Sequence, residues 1–149
     1  MNWLYDGKEI TDISQFPLGT FGFVYEVITP EGKKYVGKKV LYHNQKRKLT
    51  RAELADQTGR GRKSLYKIVS KESDWKSYIG SNTLLKNQIT EGEVTKESLK
   101  RQILEVAFDK KHLTYLETKY LFQLGVLENP NLYYNDNILG KFFSKDFDF

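Results

Sequence analysis

The chain has 149 residues, a formal net charge of +5 and no cysteine. That length suits a single domain, 1–149, with a real core, and the missing cysteine excludes a disulfide framework, a thiolate zinc site and a cysteine nucleophile. No apolar run approaches a membrane span, and Met1-Asn2-Trp3-Leu4-Tyr5-Asp6 lacks the charged start and apolar stretch of a secretory leader, so no membrane partner is expected and the expected compartment is the cytoplasm.

In chain order, residues 1–20 read as a cap with a small edge element that ends at the turn Pro17-Leu18-Gly19. Phe21, Phe23, Tyr25 and Val27 then alternate with Gly22, Val24, Glu26 and Ile28, the period of a strand. Pro30-Glu31-Gly32 is a turn with a mechanism, because proline presets φ and glycine takes the left-handed position. A three-residue loop with a glycine bulge sets the register: Thr29 faces Lys33, Val27 faces Tyr35 and Tyr25 faces Gly37. Tyr25 and Tyr35 then share one sheet face as diagonal neighbours about 7–8 Å apart at Cα, with Lys33, Gly37 and Lys39 beside them. From periodicity alone, core packing is the ordinary reading of both rings, since tyrosine is common in strands.

Residues 41–71 read as basic and helical in two pieces. Thr50-Arg51-Ala52-Glu53 has the form of a capping box, Gly59 and Gly61 interrupt the segment, and residues 62–70, with Leu65, Ile68 and Val69, are expected to form a second helix. Ser73-Asp74-Trp75 turns the chain. Ser81-Asn82 can cap a helix through Leu84, Leu85 and Ile89, ended by Gly92. Ile103, Leu104 and Val106 favour a third strand. Thr114 to Leu124 is the clearest helix, closed by Gly125, and the tail from Asn129 reads as an ordered loop with a short closing element. The expected fold is α/β (α+β), a small, mainly antiparallel three-stranded central sheet flanked by helices.

Charge is segregated along the chain. Residues 33–71 hold thirteen Lys/Arg against two acids, Glu53 and Asp56, a net of +11; the remainder holds eleven against seventeen, a net of −6. A solvated helix face is the ordinary reading of a charge run, but the acids avoid this segment, which is the footprint of a phosphate-backbone binder. The residues expected to meet phosphates are Lys38, Lys39, Lys46, Arg47, Lys48, Arg51, Arg60, Arg62 and Lys63.

One acid is misplaced. On the late helix, Leu113, Leu116, Tyr120, Leu121 and Leu124 form an apolar stripe, and Glu117 sits inside it. A carboxylate buried there is costly unless paired or metal-bound. Thr114-Tyr115-Leu116-Glu117 is also a capping box, which would employ Glu117 at a helix start. A lone carboxylate completed by phosphate oxygens and water is an ordinary magnesium site, and both readings stay open.

Gly22-Phe23-Val24-Tyr25, Lys34-Tyr35-Val36-Gly37, the basic run, Glu117 on a late helix and Tyr134-Asn135 together resemble the GIY-YIG nuclease superfamily, over about residues 7–145. Trp75-Lys76-Ser77-Tyr78-Ile79-Gly80-Ser81-Asn82 and the stretch from Tyr134 to Phe143 look like the phage group of Seg-type homing endonucleases. The first motif departs from the family pattern, with Phe-Val-Tyr for Gly-Ile-Tyr, and the second has valine for isoleucine. The literal Tyr78-Ile79-Gly80 lies too far from Tyr25 for a hairpin and is expected to pack or to shape a loop.

The resemblance implies a homing-type, phage-like DNA endonuclease. One of Tyr25 and Tyr35 would be the general base and the other would position water or phosphate. Glu117 would hold one Mg²⁺ or Mn²⁺, Asn135 would lie near the site, and an arginine, Arg47 or alternatively Arg51, would neutralise the phosphate. Lys39 joins the catalytic set from hairpin parity alone. The implied partner is double-stranded DNA, with a homodimer on DNA as one arrangement. The rival function is a non-cutting DNA- or RNA-binding protein that uses the basic segment.

Overall fold

The computed structural model describes residues 1–57, 59, 61 and 64–149; Arg60, Arg62 and Lys63, three of the expected phosphate contacts, lie outside the described residues. The chain divides into two compact units, one of Met1–Leu41 with Asp74–Phe149 and one of Tyr42–Ser73.

The first unit is built on a sheet. Two short strands, β1 (Trp3–Tyr5) and β2 (Lys8–Ile10), precede the long hairpin of β3 (Gly22–Ile28) and β4 (Lys34–Val40). The hairpin register is the expected one: Val27 pairs with Tyr35 and Tyr25 with Gly37. Its loop closes through Gly32 N donating to Thr29 O at 2.8 Å and Thr29 N to Lys33 O at 2.9 Å. Gly32 has φ 90°, the left-handed conformation that the turn demands of it.

The second unit consists of β5 (Tyr42–Lys48), the short helix α1 (Arg51–Ala55) and β6 (Tyr66–Glu72). β5 and β6 pair antiparallel as a two-stranded ribbon. The sequence reading of 41–71 as helical in two pieces holds only at α1; Tyr42–Lys48 and Tyr66–Glu72 are strands instead. Polar side chains lie on both ribbon faces, so neither strand carries the period-2 signal that marks a half-buried strand. The capping box at Thr50 does form, with Glu53 N donating to Thr50 Oγ1 and Thr50 N to Glu53 Oε1.

Back in the first unit, α2 (Thr83–Thr90) is capped by Asn82, whose Oδ1 accepts from Leu85 N at 3.0 Å. The strand β7 (Lys100–Ala107) lies between β1 and β3, and the sheet order is β2-β1-β7-β3-β4. The sheet is therefore five-stranded and mixed, not three-stranded and antiparallel, because β1 runs parallel to β7. Three-residue strands are too short to show a periodicity, and a parallel neighbour far along the chain leaves no local turn signal.

Helix α3 (Lys110–Gln123) covers one face of the sheet with Leu113, Leu116 and Leu121, packed on Val24, Val36 and Ala107. It begins four residues earlier than the apolar stripe implied, at an Asp109 N-cap that accepts from His112 N at 2.7 Å. Thr114 thus lies inside the helix and donates back to Lys110 O. The expected capping box at Thr114 does not exist, and Glu117 has no role at a helix start. The tail then runs along the free edge of β4: Lys34 N donates to Leu132 O and Tyr134 N to Lys34 O, both 2.8 Å, before the small pair β8 (Asn137–Ile138) and β9 (Phe142–Phe143).

The opposite sheet face carries an aromatic core. Trp3 meets Phe23 and Tyr25 edge-on at 5.0 and 5.2 Å, and Phe16 meets Trp75 at 5.2 Å. Such pairs add about 0.5–1.5 kcal/mol each beyond burial. Among the described residues no helix is long and apolar enough to cross a membrane.

Candidate active site

The register of the hairpin puts Tyr25 and Tyr35 on the aromatic face, but with different exposures. Tyr25 is 1% exposed, packed among Trp3, Phe23 and Tyr78. Tyr35 is only half-buried, its ring centroid 6.3 Å from that of Tyr25. Gly37 explains the close fit: a Cβ there would lie 2.5 Å from Tyr25 Oη and 3.1 Å from Tyr35 Cε1. The glycine of the second motif is thus the space that the two phenols occupy.

Tyr35 lines an open cleft of ≈ 880 Å³ together with Glu117, Asn135 and Asp136. Each arrives by a different element. Tyr35 comes from the edge strand β4, Glu117 from α3, and Asn135 and Asp136 from the tail. Asn135 is fixed by both ends of its amide, with Oδ1 accepting from Val36 N at 2.9 Å and Nδ2 donating to Val36 O at 2.8 Å. It locks the tail onto the residue next to Tyr35 and blunts a strand edge that would otherwise be open.

Glu117 is half-buried, and among the described residues no side chain donates a hydrogen bond to it. Burial raises its carboxyl above the usual carboxylate range, and only the Lys38 charge opposes this. Lys38 itself donates to Thr114 Oγ1, one turn before Glu117, at 3.0 Å.

A family model described as "Putative endonuclease segE, GIY-YIG domain" matches residues 3–138. The chain belongs to the GIY-YIG endonuclease family, in its SegE group. No curated protein and no solved structure matches it. Phe23-Val24-Tyr25 and Tyr35-Val36-Gly37, the two stretches that resemble the family's motifs, face each other across the hairpin.

The remaining expected residues fall elsewhere. Lys39 is 14% exposed at its side chain; Nζ lies 4.0 Å from the centroid of the Tyr78 ring and 2.5 Å from Asp74 Oδ1. It is not among the residues lining the cleft with Tyr35. Arg47 belongs to the second unit, where Nη2 donates to both oxygens of Glu53 at 2.8 and 3.0 Å, and Lys67 pairs with the same carboxylate. Lys67 first, then the Thr50 backbone N–H and Arg47, pull the Glu53 carboxyl down to about 2. Arg51 opens α1, is exposed and has no ion-pair partner among the described residues.

Sequence reasoning missed the loop over the tyrosines. Ser81 Oγ and Tyr35 Oη share a hydrogen bond of 3.0 Å. Gly80 has φ +103°, and a Cβ there would lie 2.9 Å from Tyr35 Cδ1. The loop is held from below by Arg101, 6% exposed, whose Nη1 donates to the carbonyls of Lys76 and Tyr78, both at 2.9 Å, while its other nitrogens reach Met1 O. Tyr78-Ile79-Gly80 is a wall against which Tyr25 and Tyr35 pack.

The electrostatics separate the tyrosines. Burial holds the Tyr25 phenol well above its ordinary value, reinforced by Tyr35, Tyr78 and Glu117. Tyr35 is raised by burial, lowered by the Ser81 hydrogen bond, and raised by Tyr78, Glu117 and Asp136.

Proposed function

We propose that the chain is a metal-dependent DNA endonuclease that hydrolyses phosphodiester bonds in the cleft between Tyr35, Glu117 and Asn135. The observation that carries this reading is the convergence of a strand tyrosine, a helix glutamate and a tail asparagine on one open cleft. A structural carboxylate would be expected to have a donor; Glu117 has none among the described residues while burial raises it.

The donor set suits a hard divalent cation, Mg²⁺ or Mn²⁺. The cleft offers carboxylate, amide and hydroxyl oxygens, and hard cations prefer oxygen. Among the described residues no group of three His, Cys, Asp or Glu could hold a metal. Glu117 would therefore be the main protein ligand, with Asp136 in the same cleft, and water and phosphate oxygens would supply the rest. Bound there, the ion would act as a Lewis acid toward the phosphate and the departing 3′-oxygen.

Tyr35 is the tyrosine that reaches the attacking water. Having first lost its own proton to solvent, its Oη would as phenolate take the attacking water's proton as general base and return to the phenol. Ser81 Oγ, 3.0 Å away, would hold the ring in line and hydrogen-bond the phenolate beforehand. Tyr25 packs behind it and orients its ring. Lys38 offsets the Glu117 charge. The two candidate arginines both belong to the second unit, where Arg47 is held by Glu53 and Arg51 has no ion-pair partner among the described residues.

The test is supercoiled plasmid incubated with the chain in Mg²⁺, in Mn²⁺ and in EDTA, beside duplex RNA of similar length. Nicked or linear DNA in either metal, and intact DNA in EDTA, supports the proposal. Intact DNA under every condition, with complexes visible on a gel, would favour a binder that does not cut.

A further inference from the structure

The β5–β6 ribbon has two unlike faces. Facing residues in the ladder share a face. Arg47, Gln45 and His43 stand with Lys67, Val69 and Lys71. On that side Arg47 and Lys67 are both engaged by the single carboxylate of Glu53 in α1. The other face carries Tyr42 opposite Glu72 at one end, and then six residues, Asn44, Lys46 and Lys48 with Ser70, Ile68 and Tyr66. All six are exposed, and neither lysine has an ion-pair partner among the described residues. Ile68 is 68% and Tyr66 53% exposed, an apolar outlay that solvent does not reward.

We infer that this face of the ribbon enters the major groove of B-form DNA and reads base edges there. Charge complementarity comes first: residues 42–73 hold nine Lys/Arg against three acids. Dimensions come second. Seven paired residues at ~3.3 Å each make a ribbon about 23 Å long, and a major groove about 12 Å wide admits a two-stranded ribbon. A minor groove about 6 Å wide does not admit it, and the A-form major groove is too narrow for side chains to read. Chemistry comes third. Asn44 and Ser70, paired across the ladder, offer the amide and hydroxyl that hydrogen-bond base edges; Ile68 suits a thymine methyl; Lys46 and Lys48 suit the flanking phosphates.

Duplex DNA as the occupant follows from the proposed nuclease function; the groove and the face follow from the ribbon itself. The test uses the full chain carrying Glu117→Gln, so that DNA survives, and a pool of random-sequence 30-bp duplexes from which the bound fraction is sequenced. An enriched sequence is expected. Methylation of guanine N7 should then weaken binding, netropsin in the minor groove should not compete, and duplex RNA of the same sequence should compete poorly. Lys46→Ala with Lys48→Ala should weaken binding to every duplex and reduce the slope of log K against log salt by about 2. Asn44→Ala with Ser70→Ala should keep that slope and lose on the order of tenfold in preference for the enriched sequence. Circular dichroism checks that both variants fold.

An unenriched pool, displacement by netropsin with N7 methylation harmless, or double variants that bind as the parent does would each overturn the inference. A chain with Glu117 intact that binds in this way but cuts no plasmid would sink the nuclease proposal and leave the ribbon standing. Cutting with ribbon variants that bind and cut as the parent does would sink only the ribbon.

Discussion

At the scale of single residues, the two motif tyrosines are not equivalent. Tyr25 is sealed in an aromatic core and Tyr35 faces the cleft, so Tyr35→Phe should lower the single-turnover rate by roughly 10²–10⁴-fold, the worth of a general base. Tyr25→Phe, which keeps the ring, should cost less than about tenfold by the same comparison; equal losses from two folded variants would contradict the assignment. Ser81 lowers the Tyr35 phenol, and a general base acts only once deprotonated, so Ser81→Ala should move the rising limb of the pH–rate profile to higher pH. A limb that stays put or moves down would leave Ser81 a packing residue. Tyr25, Tyr35 and Glu117 stand out by local pattern, two on an alternating strand pair and one inside an apolar helix stripe, whereas Asn135 came only through the family resemblance. The sequence could not show that Asn135 spends its amide on Val36, 99 positions away, or that Ser81 meets Tyr35, because those contacts belong to the folded edge of β4.

At the scale of elements, legibility followed periodicity. The β3–β4 hairpin, with one face on each core, was readable down to its register. β1, β2, β5 and β6 were not, since two are three residues long and two have polar residues on both faces. Helix α3 was found but its start was misplaced, because Lys110, Lys111 and His112 precede the apolar stripe while Asp109 caps it. The loop at 76–82 depends on Arg101, a buried cation satisfied by backbone carbonyls alone among the described residues. Arg101→Met removes those donors and should destabilise the fold by about 2–4 kcal/mol, read as a drop in Tm, and should weaken cleavage through the loop. A variant as stable as the parent would mean that the loop holds itself. In the second unit, Glu53 is depressed in the folded state. Its pairing with Lys67 and Arg47 therefore contributes fully above its unfolded value near 4.5 and is lost as pH falls toward about 2. Glu53→Gln should abolish that acid-side dependence in the ribbon amide signals.

At the scale of the whole molecule, the chain combines a cleft built by strand, helix and tail with a cationic ribbon, and places their charges differently. The cleft holds Glu117 and Asp136, while the 42–73 unit holds an excess of Lys/Arg. Cutting and holding DNA should accordingly separate under mutation. The most direct measurement is plasmid cleavage in Mg²⁺ by the parent and by Glu117→Gln, with DNA affinity determined on the same samples. Cleavage by the parent, its loss by at least about 10²-fold in the variant, and affinities that agree would bear out a nuclease whose cleft is organised by Glu117. Equal cleavage by both proteins would contradict it.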